Sequence, residues 1–471
     1  MVFSSTTFLF VFLPLVLLLH LAVGSLGWRN AVLLTASLFF YAWGEGPVVL
    51  VMLLSIGVNH VAGIAMREDA EPKRSKRTLI IALIFNLSLL AFFKYANFLV
   101  DNLNVVLEGL GVHFIYLPQI HLPIGISFFT FQAISYIVDV YRKKVAAQPN
   151  IYKLALYISL FPQLIAGPIV RYLDIRNALE KRQVTIEGLS KGGQRFIIGL
   201  VKKVLIADTL AYVADQLFNV PATALGPGAA WLGIICYSFQ IYYDFSGYSD
   251  MAIGLGRMLG FQFLENFNYP YIARSLRDFW RRWHISLSTW FRDYLYIPLG
   301  GNRGSKYRTF LNLGIVFFLC GLWHGASWNF IIWGLLHGAF LILERTIFGK
   351  IMDRLPAWLQ HSYLLLVVVI SWVFFRAEDL PQAWDYLQAM VGAQPAATYY
   401  AALFLNQEII LTLLMATFWA LPIYPYFEQQ IQAKKWVVLD GVRLVGLLGL
   451  FVLSLATVIA STYHPFIYFR F

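Results

Sequence analysis

Charge is scarce in this chain. Asp, Glu, Lys and Arg make up 13% of its 471 residues, and hydrophobic residues make up 59%. A soluble globular protein carries about 25% charged and roughly 45–50% apolar residues. A chain this apolar has too little polar surface to stay in solution. Cysteine is nearly absent. Cys236 and Cys320 both lie inside apolar stretches, so packing is their expected role and a disulfide framework is excluded. The sequence has no GxSxG elbow, no Walker A loop, no HExxH and no cysteine cluster. An esterase-type serine, ATP-driven transport and a bound metal are therefore all unsupported.

The apolar residues gather in blocks long enough to cross a bilayer, which takes about 20 residues per helix. Such blocks cover 7–23, 29–44, 47–66, 78–100, 122–140, 151–168, 192–212, 228–246, 309–325, 327–345, 361–376, 398–421 and 438–461. The segment 151–168 is short and contains Pro162 and Gly167, which predicts a broken or re-entrant helix. The segment 192–212 carries Lys202, Lys203 and Asp208, which predicts tilting or partial burial. The expected fold is all-α and polytopic. It has about 11–13 transmembrane or re-entrant helices and interfacial amphipathic helices. No repeat, low-complexity tract or soluble domain stands out. The chain reads as one membrane domain, with N-terminal helices over 1–121, a core over 122–345 and C-terminal helices over 346–471.

The net charge of +11 does not indicate nucleic acid, because the basic residues sit in the loops. Arg67, Lys73, Arg74, Lys76 and Arg77 precede the fourth span, whereas 101–121 has no Lys or Arg. Arg142, Lys143, Lys144 and Lys153 follow the fifth. Arg303, Lys306 and Arg308 form another basic loop, as do Arg345, Lys350 and Arg354, and Lys434 with Lys435. This alternation puts the basic loops in the cytoplasm and both termini outside it. Arg376, at the outer end of its span, is an exception.

Three stretches carry candidate chemistry. In 274–299, RSLRDFWRRWHISLSTWFRDYLYIPL, helical spacing puts Leu276, Phe279, Trp280, Trp283 and Leu287 on one side. Arg274, Arg277, Arg281 and His284 fall on another, which predicts an amphipathic interfacial helix. It reads either as a surface anchored over anionic lipid or as a cationic mouth for a phosphorylated donor. In 321–338, GLWHGASWNFIIWGLLHG, the apolar run before His324 is short, and this places His324 at membrane depth. An ionisable group there is a functional candidate, and its bland alternative is a neutral hydrogen bond between helices. His337 reads as structural. In 242–250, YYDFSGYSD, Asp244 and Asp250 interrupt an apolar run. Helix capping around Gly247 is the favoured reading there, and Arg257 a candidate partner.

These stretches resemble the membrane-bound O-acyltransferase family. The likeness is carried by PIGISFFTFQAISYIVDVYR (123–142), FPQLIAGPIVRY (161–172), YYDFSGYSDMAIGLGRMLGF (242–261), NFNYPYIARSLRDFWRRWHISLSTWFRDYLYIPLGGNR (266–303), GLWHGASWNFIIWGLLHG (321–338) and SWVFFRAEDL (371–380). Within the family the chain is similar to the membrane subunits of bacterial alginate O-acetylation. The D-alanine-transferring subunits of teichoic acid modification share much of the pattern.

The resemblance implies a ring of helices around a thinned centre, an inner-membrane location, and a thioester donor entering from the cytoplasm. Acetyl-CoA is the expected donor, with no bound cofactor. Periplasmic acetylation proteins are the expected partners, alongside the lipid bilayer. The resemblance also implies an essential His at His324 and a second site position at His284. His324 is then expected to act as general base, and His284 to orient the donor or stabilise an oxyanion. Arg277, Arg281 and Arg282 are expected to hold donor phosphates. Asn329 and Trp328 are expected to orient the His324 ring, and Asp244 to support the core. An acyl-group transporter is the alternative from another class.

Overall fold

The computed structural model describes residues 1–393, 397–423 and 437–460. Lys434 and Lys435, assigned above to a cytoplasmic loop, lie outside the described residues. The regular elements are helical, and among the described residues the one β-type pairing is an isolated bridge between Leu225 and Tyr399. Lipid offers no partner for backbone N–H and C=O groups, so an all-helical chain is the expected way to satisfy them.

Among the described residues, four segments are long and apolar enough to cross a membrane: Leu26–Ala65, Pro72–Gly109, Ala357–Arg376 and Gly441–Ala460. Shorter apolar helices are Phe8–Ala22, Ile126–Tyr141, Trp328–Leu343 and Gln407–Trp419. Leu26–Ala65 is α2 (Leu26–Glu45) and α3 (Val49–Ala65) joined by the 3-10 turn Gly46–Val48. Gly46 has φ of 56°, a conformation glycine adopts without Cβ strain.

The chain packs as two units. Met1–Gly193 with Ala252–Leu264 forms one, and Gln194–Met251 with Glu265–Phe471 the other. In the first, α4 (Pro72–Gly109) packs on α3 and on α5 (Ile126–Tyr141). Asn59 and Asn86 are fully buried between α3 and α4. Each amide donates to the other, at 3.0 and 2.9 Å. The segment 151–168 is broken as its proline and glycine require. α6 (Ile151–Ser159) stops before α7 (Phe161–Leu164), with Pro162 in the first turn of α7. A Cβ on Gly167 would meet Gln163 Cα at 2.6 Å, so only glycine lets the chain fold back there.

α11 (Pro227–Met258), which belongs to the second unit as far as Met251, runs through the Asp244–Asp250 stretch without interruption. This corrects the capping reading, and Arg257 is not the partner. Asp244 accepts an ion pair from Lys203 at 2.6 Å, and Lys203 also reaches Asp208 at 2.7 Å. All three are buried. Asp250 binds Arg195 at 2.6 Å and Lys202 at 2.7 Å. The cause lies in 192–212, where a π-helical turn, Lys202–Ala207, sits between α9 (Ile186–Val201) and α10 (Asp208–Asn219). The two lysines that break its hydropathy serve the carboxylates that break α11. Arg376, the exception to the charge pattern, is also paired. It reaches Asp215 at 2.6 Å and stacks over Phe218.

Candidate active site

The candidate site is built within the second unit from α14 (Lys306–His324), α15 (Trp328–Leu343), α17 (Ala357–Arg376) and the segment around His284. Ser305 caps α14 by accepting from Arg308 N–H, and Ser327 caps α15 by accepting from Asn329 N–H. The two helices lie unusually close. A Cβ on Gly334 would collide with the Phe317 carbonyl, and one on Gly321 with the Phe330 carbonyl. Small residues at such crossings let helix backbones touch in a membrane, where packing replaces the hydrophobic drive.

That hairpin holds His324 as the last residue of α14, 4% exposed. Three rings meet it edge-to-face: Trp323 and Trp333 at 4.9 Å, and Phe375 of α17 at 5.2 Å. Trp323 also lies 6.1 Å from the His284 ring. One indole therefore touches both histidines. Asn329 donates its side-chain amide to the Ala377 carbonyl at 2.8 Å. Trp328 is half exposed. Trp323, Trp333 and Phe375 are rings packed against His324. Trp333 and Phe375 lie within the stretches 321–338 and 371–380 that carry the family resemblance, but no spacing rule ties them to His324.

The segment 274–299 is not one amphipathic helix. It divides into α12 (Leu276–Arg282), α13 (Ile285–Phe291) and a π-helical turn Arg292–Tyr296. The break falls on His284, which has the left-handed conformation φ 44°, ψ 55°. For a residue with a Cβ this costs on the order of 1–2 kcal/mol, so the surroundings must impose it. They do so on both sides. Ile285 N–H donates to Asn266 O, and Asn268 N–H to Arg282 O, each at 2.9 Å. A sequence pattern of period 3.6 cannot anticipate a turn imposed by a segment 18 residues away.

The break buries His284 completely. Its Nδ1 lies 3.2 Å from Asn266 Oδ1, and Phe245 packs edge-on at 4.6 Å. Its Nε2 is buried without a hydrogen-bond partner among the described residues. Leaving a buried polar atom unmatched typically costs about 1–3 kcal/mol. Arg274, Arg277 and Arg281 remain exposed, and their guanidinium groups have no acidic partner among the described residues, although the Arg277 backbone N–H donates to Glu344 at 3.2 Å. Arg282 differs, because Asp278 holds it at 3.0 Å.

His337 on α15 contrasts with both. It is fully buried, its Nδ1 lies 3.3 Å from Trp280 Nε1, and its Nε2 lies 3.0 Å from Ser371 Oγ. Ser371 donates its own proton to the Val368 carbonyl. His337 therefore donates from Nε2 and accepts at Nδ1, a neutral ring with both nitrogens satisfied. Cys236 and Cys320 are free and buried, as their apolar context predicts. Among the described residues no cluster of His, Cys, Asp or Glu has metal-site geometry.

A polytopic helical protein with a buried histidine pair bridged by an indole is the class defined so far. The family model of the membrane-bound O-acyltransferases matches residues 35–379, and the chain belongs to that family. It is 41% identical to a "Probable alginate O-acetylase AlgI" of Azotobacter vinelandii, over 100% of both chains. It is 48% identical to a protein of the same description from Pseudomonas aeruginosa, covering 83% of this chain and 75% of the relative. It is 39% identical to a peptidoglycan O-acetyltransferase of Helicobacter pylori, covering 83% and 80%.

Proposed function

We propose that this multi-pass membrane enzyme transfers acetyl groups to hydroxyls of an exported polysaccharide. The observation that carries the reading is His324 itself. It is a titratable ring at the end of α14, enclosed by Trp323, Trp333 and Phe375 and linked through Trp323 to His284. An imidazole titrates near neutrality, which suits a general base. A dry aromatic enclosure keeps water from competing for the acyl group. The relatives described as O-acetylases and O-acetyltransferases support acetyl as the transferred group.

In this reading His324 takes the proton of an acceptor hydroxyl while that oxygen attacks the acetyl thioester carbonyl. The C–S bond breaks and the thiolate leaves with the donor. Acetyl-CoA is the proposed donor. Arg277 and Arg281, whose guanidinium groups no described carboxylate occupies, are the proposed holders of its phosphates, because Arg binds phosphate through paired N–H groups. The proposed location is a bacterial inner membrane, with the basic loops in the cytoplasm and periplasmic partners completing delivery.

The test is complementation of a deletion strain with wild type or His324→Ala at matched membrane levels. The measurement is ester-linked acetyl on exported polysaccharide. The reading requires wild type to restore acetyl and the variant not to. Equal restoration by both overturns it.

A further inference from the structure

His284 and His337 are both fully buried. His337 has a partner on each nitrogen, whereas His284 has one on Nδ1 only. The Asn266 side chain decides what this leaves at the free nitrogen. The backbone N–H of Ser286 lies 3.2 Å from one amide terminus of Asn266. A backbone N–H is only a donor, so that terminus is the carbonyl oxygen Oδ1. The Ser286 hydroxyl donates to the same oxygen at 2.9 Å. The opposite terminus, Nδ2, donates to Ser249 Oγ at 3.1 Å, which agrees with this orientation.

Oδ1 has no hydrogen to give. The His284 Nδ1 atom, 3.2 Å from it, must therefore carry the proton. A neutral imidazole protonated at Nδ1 has a lone pair at Nε2. The same Asn266 residue, through its backbone oxygen, anchors Ile285 and so sustains the left-handed turn that aims the ring.

We propose that Asn266 is a positioning residue of the transfer site: it fixes His284 as the Nδ1–H tautomer, so that Nε2 presents a lone pair to an O–H or amide N–H of a substrate. The substrate part of this rests on the acyl-transfer reading, whereas the tautomer does not. His284 in this form is an acceptor. It cannot donate to a developing oxyanion unless it first gains a proton. The two histidines therefore divide between them sites that receive hydrogen, and oxyanion donors have to come from elsewhere.

The test uses the full-length protein, labelled with 15N-histidine and embedded in bilayers near neutral pH. The difference spectrum between wild type and His284→Gln isolates the His284 ring. A protonated Nδ1 beside a bare Nε2 is the expected result. A ring protonated at Nε2, alone or together with Nδ1, overturns the proposal.

Turnover provides a second arm. Asn266→Leu removes the acceptor, and its kcat should fall by about 100-fold or more, the scale of acid–base assistance, with the donor KM unchanged. Asn266→Asp keeps an acceptor facing Nδ1, should retain the Nδ1 proton, and should recover most of kcat. Full turnover in Asn266→Leu at wild-type membrane level overturns the positioning role. An Nδ1–H ring in a protein that transfers no acetyl keeps the tautomer and removes the acyl-transfer reading.

Discussion

His324, His284 and His337 have the same side chain and differ in what their nitrogens meet. His337 is saturated by Trp280 and Ser371, so its contribution is to packing. Ser371→Ala should orphan the Nε2–H and lower stability by about 1–3 kcal/mol, read as a lower melting temperature in detergent. His324 belongs to the reaction in the reading offered here. Its replacement by Ala should reduce acetyl transfer by at least about 10²-fold while the melting temperature stays near wild type. Arg281→Gln should raise the donor KM and leave kcat near wild type, since it removes a contact to a group remote from the reacting carbon. Arg282, already held by Asp278, should change KM less. That difference separates a phosphate-binding arginine from a structural one by kinetics alone.

At the scale of elements, the helices were legible wherever one physical cause set them. Apolar blocks gave α14 and α15, and Pro162 with Gly167 gave the broken α6–α7 segment. Two features were not legible, and both are tertiary. The turn at His284 is imposed by backbone bonds to Asn266 and Asn268, and the period-3.6 pattern of 274–299 runs straight through it. The partners of Asp244 and Asp250 include Lys202 and Lys203 of the π-helical turn at 202–207 and Arg195 of α9, and no spacing rule links those stretches. The α14–α15 contact gives this scale its prediction. Gly334→Leu should force the helices apart against the Phe317 carbonyl. Folded protein in the membrane should then fall sharply, as measured by detergent-extractable monodisperse yield. Gly314, whose Cβ would meet nothing, should accept Ala with little change.

For the whole molecule, the composition settled the class early, since a chain that is 59% hydrophobic has to live in lipid. Charges retained in such a chain need partners. Lys203 is 3% exposed between Asp208 and Asp244. Lys203→Met would remove the ammonium that both buried carboxylates share, at a cost of about 3–5 kcal/mol. The expected outcome is loss of stable protein, measured by thermal aggregation, and not a selective kinetic defect.

The paired amides of Asn59 and Asn86 bear on how such a protein is assembled. A ribosome delivers α3 and α4 early, as one hairpin, before the residues of the candidate site exist. Aliphatic faces slide past each other in lipid with little penalty. Two amides that bond one another do so at a single alignment, and a slip of one residue would break both of those bonds, leaving each amide only its bonds to the residue four positions back in its own helix. The pair therefore acts as a registration key during biogenesis. It sets the alignment of the first helices before the later ones are inserted against them.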